Sequence, residues 1–389
     1  MLIGIPKEIL SNETRVAATP EIIKKLIAAN HNVNIEKGAG EGSFISDDEF
    51  KNVGASIKEN SEEIYKSDII FKVNPPVKEE LDMIKEGSTL ITFFQIKDQV
   101  DLLSTYVNKK ITLFSMNHVP RTTLAQNMDA LSSQSNIAGY KAAIIGASYI
   151  SKYMPLLMTA AGTIQPAKVL ILGAGVAGLA AIATAKRLGA QVFAFDVRPV
   201  VKEQVESLGA KFVEVETDNS DDGVGDGGYA KETSDEYKKK QSELIEKTIA
   251  KMDLVISTAL IPERPAPILI TKQMVENMKA GSAIMDLAAA NGGNCELTKQ
   301  DEITQHNGVT IDGMINIPGT MPTHATSLYA KNLNNLFSYL YKEENEKLNM
   351  EDEIVNGSML FNNGDANNDI VKNFMDNVNV PTKTLSVKG

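Results

Sequence analysis

Residues 168–198 read KVLILGAGVAGLAAIATAKRLGAQVFAFDVR. The run 169–172 is short, apolar and branched, as a strand buried on both faces requires. Gly173, Ala174, Gly175, Val176, Ala177 and Gly178 follow at once. A helical stretch then runs to Leu188, and Gly189 stands where a C-terminal cap glycine is expected. Residues 192–195 form a second apolar strand with Asp196 at its tip. The order strand, glycine turn, helix, strand, acid is the fingerprint of a dinucleotide site. Gly173 permits the tight turn, Gly175 admits a diphosphate to the backbone, and Gly178 lets helix and strand pack closely. The helix N-terminus offers unpaired N–H donors to that diphosphate. Asp196 can accept both hydroxyls of an adenosine ribose and would repel a 2′-phosphate, so NAD(H) is favoured over NADP(H). Glycine runs of this kind also occur in ordinary tight turns; the flanking strand, helix and acid carry the reading.

Working outward, 389 residues suit two or three domains. The formal charge of −11 argues against nucleic acid as a partner, because neutralising phosphates needs a basic face. Cys295 is the single cysteine, so no intrachain disulfide can form, which fits a reducing compartment. The N-terminus reads straight into a strand without signal-peptide features. The most apolar stretch, 142–161, is interrupted by Ser148, Tyr149, Ser151, Lys152, Tyr153 and Pro155, and reads as a buried connecting helix. The chain is therefore expected to be soluble by itself.

Strands are expected at 2–6, 32–36, 68–73, 90–94 and 111–114, with helical stretches between them, the clearest at 20–30. This alternation predicts a doubly wound α/β domain over the first 115 or so residues. The turn Gly38-Ala39-Gly40-Glu41-Gly42 lacks the dinucleotide spacing and reads as a loop. Residues 122–153 read as one or two bridging helices. Further strands are expected at 211–215, 254–258, 283–286 and 309–312. Residues 317–326 cross back, and 327–341 form a helix packing on the first domain. Residues 353–361 read as a strand entering a hairpin at Asn362-Asn363-Gly364-Asp365, which could reach a second copy of the chain. The fold class is α/β, with two doubly wound parallel-sheet, Rossmann-like domains joined by long helices and a C-terminal hairpin and tail. The first domain comprises 1–135 and 318–389, the second 136–317. The acidic, glycine-rich insertion 217–235 reads either as disorder or as a mobile flap in which Tyr229 could dock.

Four scattered histidines, with no paired spacing and no cysteine partner, give no metal-site pattern. Cys295 follows a strand and reads as a packing residue more than as a nucleophile. The densest polar run is 121–135, RTTLAQNMDALSSQS. Arg121, Gln126, Asp129, Ser132 and Ser133 lie among Leu124, Met128 and Leu131. Asp129, Ser132 and Ser133 share a face if the segment is helical. The run is either a helix start with a polar outer face or a patch facing a cofactor cleft.

The segments IGIPKEI…ETRVAATP, RTTLAQNMDALSSQSNIAGYKA, GAGVAGLAAIATAKRLGA…FDVR, GGYAKE and TALIPERPAP…MDLAAANGGNCELT carry a resemblance. The chain resembles the NAD(H)-binding component, domain I, of proton-translocating nicotinamide nucleotide transhydrogenase, over nearly its whole length. The sister family, alanine dehydrogenase, shares the opening. An alanine dehydrogenase needs an arginine, a lysine, a histidine and an aspartate in its site. Arg15 and Lys72 match the first two, but Gln95 and Ala290 stand where the histidine and aspartate are expected. Glutamine cannot shuttle a proton near neutral pH.

The resemblance implies that Arg121, Thr122, Thr123, Gln126, Asp129 and Ser132 surround the nicotinamide and its ribose, with Arg121, Gln126, Asp129 and Ser132 acting in catalysis. It places Gly173, Gly175, Val176, Ala177 and Gly178 at the pyrophosphate and Asp196, Val197 and Arg198 at the adenosine. Gly228 and Tyr229 match a loop closing over the nucleotide, and Gln241 and Leu260 further contacts. It implies direct hydride transfer from NAD(H) to NADP(H) on a partner domain, a homodimer, a membrane domain and an NADP(H)-binding subunit as partners, and no metal. The location implied is peripheral, on the cytoplasmic side of the membrane or its mitochondrial-matrix equivalent. An amino-acid oxidoreductase and a non-catalytic NAD sensor are the competing expectations.

Overall fold

A computed structural model of the chain describes residues 1–215, 235–261, 264–342, 348–367 and 369–377. They divide into two compact units, Met1–Gln134 with Met321–Gly389, and Ser135–Thr320. Gly228, Tyr229 and all but the last residue of the acidic insertion lie outside the described residues.

The first unit opens with β1 (Leu2–Ile5), β2 (Asn32–Glu36), β3 (Ser56–Lys58), β4 (Ile69–Phe71), β5 (Thr89–Thr92) and β6 (Thr112–Ser115). They run parallel in the order β6-β5-β4-β1-β2-β3. β3 is not among the strands expected from the sequence; three residues are too few to show a period. Side chains alternate between two cores, as a sheet covered on both faces requires. Ile69, Phe71, Ile91 and Phe114 join one cluster, and Ile70, Leu90 and Leu113 the other. The helix Pro20–Ala28 covers the first face with Ile22, Ile23 and Leu26. Thr19 caps it, accepting the Ile22 N–H, and Pro20 occupies the first turn, where its missing N–H costs nothing.

The helix expected to connect at 142–161 ends earlier. It spans Ala130–Tyr149, and the chain then forms an antiparallel hairpin of β7 (Leu157–Thr159) and β8 (Gly162–Ile164). Gly162, at φ +129°, supports the reversal. The second unit's main sheet holds β9 (Lys168–Leu172), β10 (Gln191–Phe195), β11 (Lys211–Phe212), β12 (Leu254–Ser257), β13 (Ala283–Asp286), β14 (Ile303–His306) and β15 (Val309–Asp312). Their order is β11-β10-β9-β12-β13-β15-β14, parallel except for β14. The winding reverses between β9 and β12, which makes the end of β9 the place where such folds bind ligands. Val169 and Ile171 enter one core and Leu170 and Leu172 the other, which is why this strand reads as an unbroken apolar run.

The chain then returns to the first unit through the helix Pro322–Leu340, whose Tyr329, Leu333, Leu336 and Phe337 join the core around Ile3 and Ile5. Part of the expected strand at 353–361 is instead a helix, Glu353–Ser358, capped by the Asp352 carboxylate on the N–H groups of Ile354 and Val355. β16 (Met359–Asn362) and β17 (Asp365–Ala366) form the hairpin, with Asn363 and Gly364 both at positive φ. β16 pairs antiparallel with β6 of the same unit and covers that sheet edge.

The second unit depends on a missing Cβ. One at Gly178 would overlap the Gly173 carbonyl oxygen. In an open helix, Gly→Ala stabilises by about 1 kcal/mol. For Gly178→Ala the sign should reverse, with a loss of about 1–3 kcal/mol in thermal or denaturant unfolding.

Candidate functional site

In the second unit, Gly173 leaves β9 at φ +96°, a backbone conformation that suits glycine. Its N–H donates to Phe195 O at 2.8 Å, and its carbonyl accepts from Thr258 Oγ1 at 3.0 Å. The helix Val176–Arg187 begins after Gly175 with no side-chain cap, and Leu179 N donates to Gly175 O at 2.8 Å. The N–H groups of Val176, Ala177 and Gly178 therefore precede the first helical hydrogen bond, where an anion is favoured.

Asp196 sits at the tip of β10 but is not an idle acceptor. Its Oδ1 accepts the Arg198 N–H at 2.8 Å and Arg198 Nε at 2.9 Å. Its Oδ2 accepts the Ala174 N–H at 2.7 Å and an Arg198 guanidinium nitrogen at 2.8 Å. The hydrogen bond to this carboxylate holds the Arg198 guanidinium above its ordinary value. Val197 is half-buried, Leu260 is exposed, and Gln241 is buried on the helix Asp235–Ile249.

Two residues outside the sequence expectations shape this region. Buried Asn294 accepts the Ala259 N–H at 3.0 Å and donates to Ala259 O at 2.9 Å and Pro267 O at 2.8 Å, fixing the segment that carries Leu260. Asp286, 1 % exposed, accepts Asn294 N at 2.8 Å, Cys295 N at 3.0 Å and Thr298 Oγ1 at 2.6 Å. Aspartate closing an apolar strand is the signal that could have pointed to this hub. Burial pushes the Cys295 thiol up to about 11, which leaves it a packing group rather than a nucleophile.

In the first unit, a cavity of about 250 Å³ is lined by Pro120, Arg121, Thr122, Ala125, Gln126, Asp129 and Ser132. Thr123 is exposed and is not among its lining residues. The expected shared helical face of Asp129, Ser132 and Ser133 is not found. Asp129 lies outside the helix, at φ −73° and ψ 87°, because a carboxylate there can cap it. Its Oδ1 accepts the Ser132 N–H at 2.8 Å and its Oδ2 the Ser132 hydroxyl at 2.6 Å. Ser133 instead donates to Asn332 Oδ1 at 2.7 Å. The amides of Asn332 and Asn335 both donate to Asn127 O at 2.9 Å, so the helix Pro322–Leu340 holds the turn Gln126–Met128 from a remote part of the chain.

A second polar cluster fills the reversal point of the first unit's sheet, between β1 and β4. Arg15 is ion-paired with Glu13 at 2.7 Å and donates to Gln134 Oε1 at 3.0 Å. Lys72 lies 2.8 Å from Glu80 and 3.4 Å from Glu8. Burial alone would lower the Lys72 ammonium; the charges of Glu8 and Glu80 outweigh it and raise it. Burial pushes the Glu8 carboxyl up despite Lys72. Burial also acts upward on Glu13, but its hydrogen bonds and ion pair with Arg15 win and hold that carboxyl below 4.5. Gln95 is half-buried at the start of the turn Ile96–Asp98, and Ala290 is exposed in the turn Ala289–Asn291. Among the described residues, no group of three or more His, Cys, Asp or Glu could hold a metal ion, and no helix is long and apolar enough to cross a membrane.

Two family models match: alanine dehydrogenase/PNT, N-terminal domain, over residues 4–138, and alanine dehydrogenase/PNT, C-terminal domain, over residues 142–369. The chain belongs to the alanine dehydrogenase/PNT family. Among its relatives there, NAD(P) transhydrogenase subunit alpha of Haemophilus influenzae is 45% identical over 368 residues, covering 94% of this chain and 71% of the relative. The solved structure of transhydrogenase from Sinorhizobium meliloti is 43% identical with a TM-score of 0.84, covering 94% of this chain and 100% of that one. A solved L-alanine dehydrogenase is 26% identical with a TM-score of 0.82, covering 97% and 100%. The two Rossmann-like units are thus a shared property of both branches of the family.

The Arg15–Glu13 pair generates a pH test. A carboxyl depressed below 4.5 contributes stability that is present above 4.5 and lost as pH falls through its folded value. Glu13→Gln strands a buried guanidinium and should cost about 3–5 kcal/mol at pH 7 in denaturant unfolding. The gap from wild type should narrow as pH falls through the acid range.

Proposed function

We propose that the chain is the NAD(H)-binding component of a proton-translocating NAD(P) transhydrogenase. The observation that carries this reading is the pairing of a dinucleotide turn with the replacement of two of the four groups that alanine oxidation would need. Gln95 and Ala290 stand where an alanine dehydrogenase needs a histidine and an aspartate. Arg15 and Lys72, which that chemistry would use, are engaged by Glu13, Glu8 and Glu80 within the first unit. Similarity to transhydrogenase alpha subunits points the same way.

The residues suit the nucleotide. The open N–H groups of Val176, Ala177 and Gly178 match a diphosphate, and Gly175 leaves it room: the nearest atom a Cβ there would meet is an Arg198 guanidinium nitrogen at 3.9 Å. Asp196, Val197 and Arg198 serve the adenosine end. Arg121, Thr122, Thr123, Gln126, Asp129 and Ser132 serve the nicotinamide end, with Asp129 and Ser132 holding each other in place. Gly228, Tyr229, Gln241 and Leu260 supply further contacts. NAD(H), when bound, supplies or takes the hydride exchanged with NADP(H) on a partner domain. Only hydride moves in that step, so the chain's residues act by positioning rather than by proton transfer. The working form proposed is a homodimer, peripheral to the membrane on its cytoplasmic or matrix-equivalent side, with a membrane domain and an NADP(H)-binding subunit as partners.

Titration of the purified chain with NADH and NADPH tests this directly. NADH should bind preferentially, and transfer should appear when an NADP(H)-binding transhydrogenase component is added. Tight NADPH binding without NADH binding, or vigorous NADH formation from alanine by the lone chain, would overturn the reading. Absence of transfer with any partner would leave an NAD-sensing module instead. Gln126→Ala should slow transfer by at least about tenfold, the scale set by loss of reacting-group alignment, with NADH affinity nearly unchanged.

A further inference from the structure

The Asp196 carboxylate is saturated. A carboxylate offers about four acceptor positions, and four donors fill them here. Two are backbone N–H groups, of Ala174 and Arg198, at 2.7 and 2.8 Å. They belong to the glycine turn and to the tip of β10, and cannot withdraw without unmaking the turn. The other two are guanidinium donors of Arg198, at 2.9 and 2.8 Å. A ribose hydroxyl can reach Asp196 only by taking the place of that guanidinium.

We infer that Arg198 sets the nucleotide selectivity of this site, by competing with the ribose for Asp196 and by offering a counter-charge to a 2′-phosphate. The inference rests on the NAD(H) reading of the second unit. The Arg198 side chain is 17 % exposed and Asp196 5 %, so the guanidinium has a route outward that the carboxylate lacks. It also stays local: the guanidinium lies beside Gly175, at the mouth of the diphosphate turn. Once displaced, it remains close enough to Asp196 to face a phosphate carried by that ribose. Asp196 alone would reject a 2′-phosphate by charge; with Arg198 beside it, that repulsion is largely offset.

Removing the guanidinium then has two effects of one sign on selectivity. NADH gains, because its ribose meets two unoccupied acceptor positions. NADPH loses, because its extra phosphate meets an uncompensated carboxylate. This differs from a simple contact role, in which losing Arg198 weakens both nucleotides.

The test is titration of the full chain by nicotinamide fluorescence, comparing wild type with Arg198→Ala and Arg198→Met. The methionine keeps an aliphatic stem packed where the arginine stem lies, and guards against loss of the fold. In both variants the Kd for NADH should fall by about threefold or more, the scale of one net hydrogen bond. The ratio of NADPH to NADH Kd should rise by about tenfold. Weaker NADH binding in both variants, or an unchanged ratio, overturns the inference while the NAD(H) reading stands. Failure of the wild-type chain to bind NADH overturns both.

Discussion

The helix Val176–Arg187 is seated by two positions where a side chain is impossible. At its start, Gly178 lies directly on the Gly173 carbonyl. Beside it, Gly139 on the helix Ala130–Tyr149 lies on the Ala177 carbonyl, where a Cβ would also overlap. Backbone therefore meets backbone on both sides. That contact seats the helix N-terminus, whose first N–H groups have no side-chain cap, against the end of β9. Any Cβ at either position would lift the helix, and with it the cradle that the turn makes.

Around this contact, the chain handles buried charge by saturating it. Asp196 ties the tip of β10 to the glycine turn, and Asp286 ties the end of β13 to the loop 294–298. In the first unit, three carboxylates and two cations occupy the reversal point of the sheet. Isolated buried charges are costly, and each group here is retained because partners surround it. One consequence is functional: a position that in many α/β folds is open to a ligand is filled by the chain's own ions. The Arg121–Ser132 region is supported differently, by neutral amides. Asn332 and Asn335 anchor Asn127, and Asp129 caps the helix that follows.

Much of the fold could be read from the sequence. Strands buried on both faces announce themselves as runs such as VLIL and AIMD, and glycines at positive φ mark their ends. Some readings failed where long-range pairing decided, and one where a local cap did. β3 and β14 are too short or too polar to show a period, and gain their place from neighbours. Residues 353–361 end in the apolar run MLF and read as one strand, but Asp352 supplies a cap and 353–358 become a helix. The C-terminal hairpin was legible as a hairpin; that its partner is β6 depends on where the edge of the first sheet lies.

The same division runs through the candidate site. Residue types and spacing by themselves determined the dinucleotide turn, the acid after the second strand and the polar run at 121–135, because each is a property of consecutive residues. Only the tertiary structure decided that Asp196 is already shared with Arg198 and Ala174, that Asp129 is a cap rather than a face, and that Asn294 and Asn332 hold the loops. Some of those donors are near in sequence, as Arg198 is to Asp196 and Ser132 to Asp129, and others arrive from afar, as Ala174 and Asn332 do; which of them meets a given oxygen is settled only in the folded chain. Hydrogen-bond saturation is set by folding in three dimensions and leaves no period in the chain.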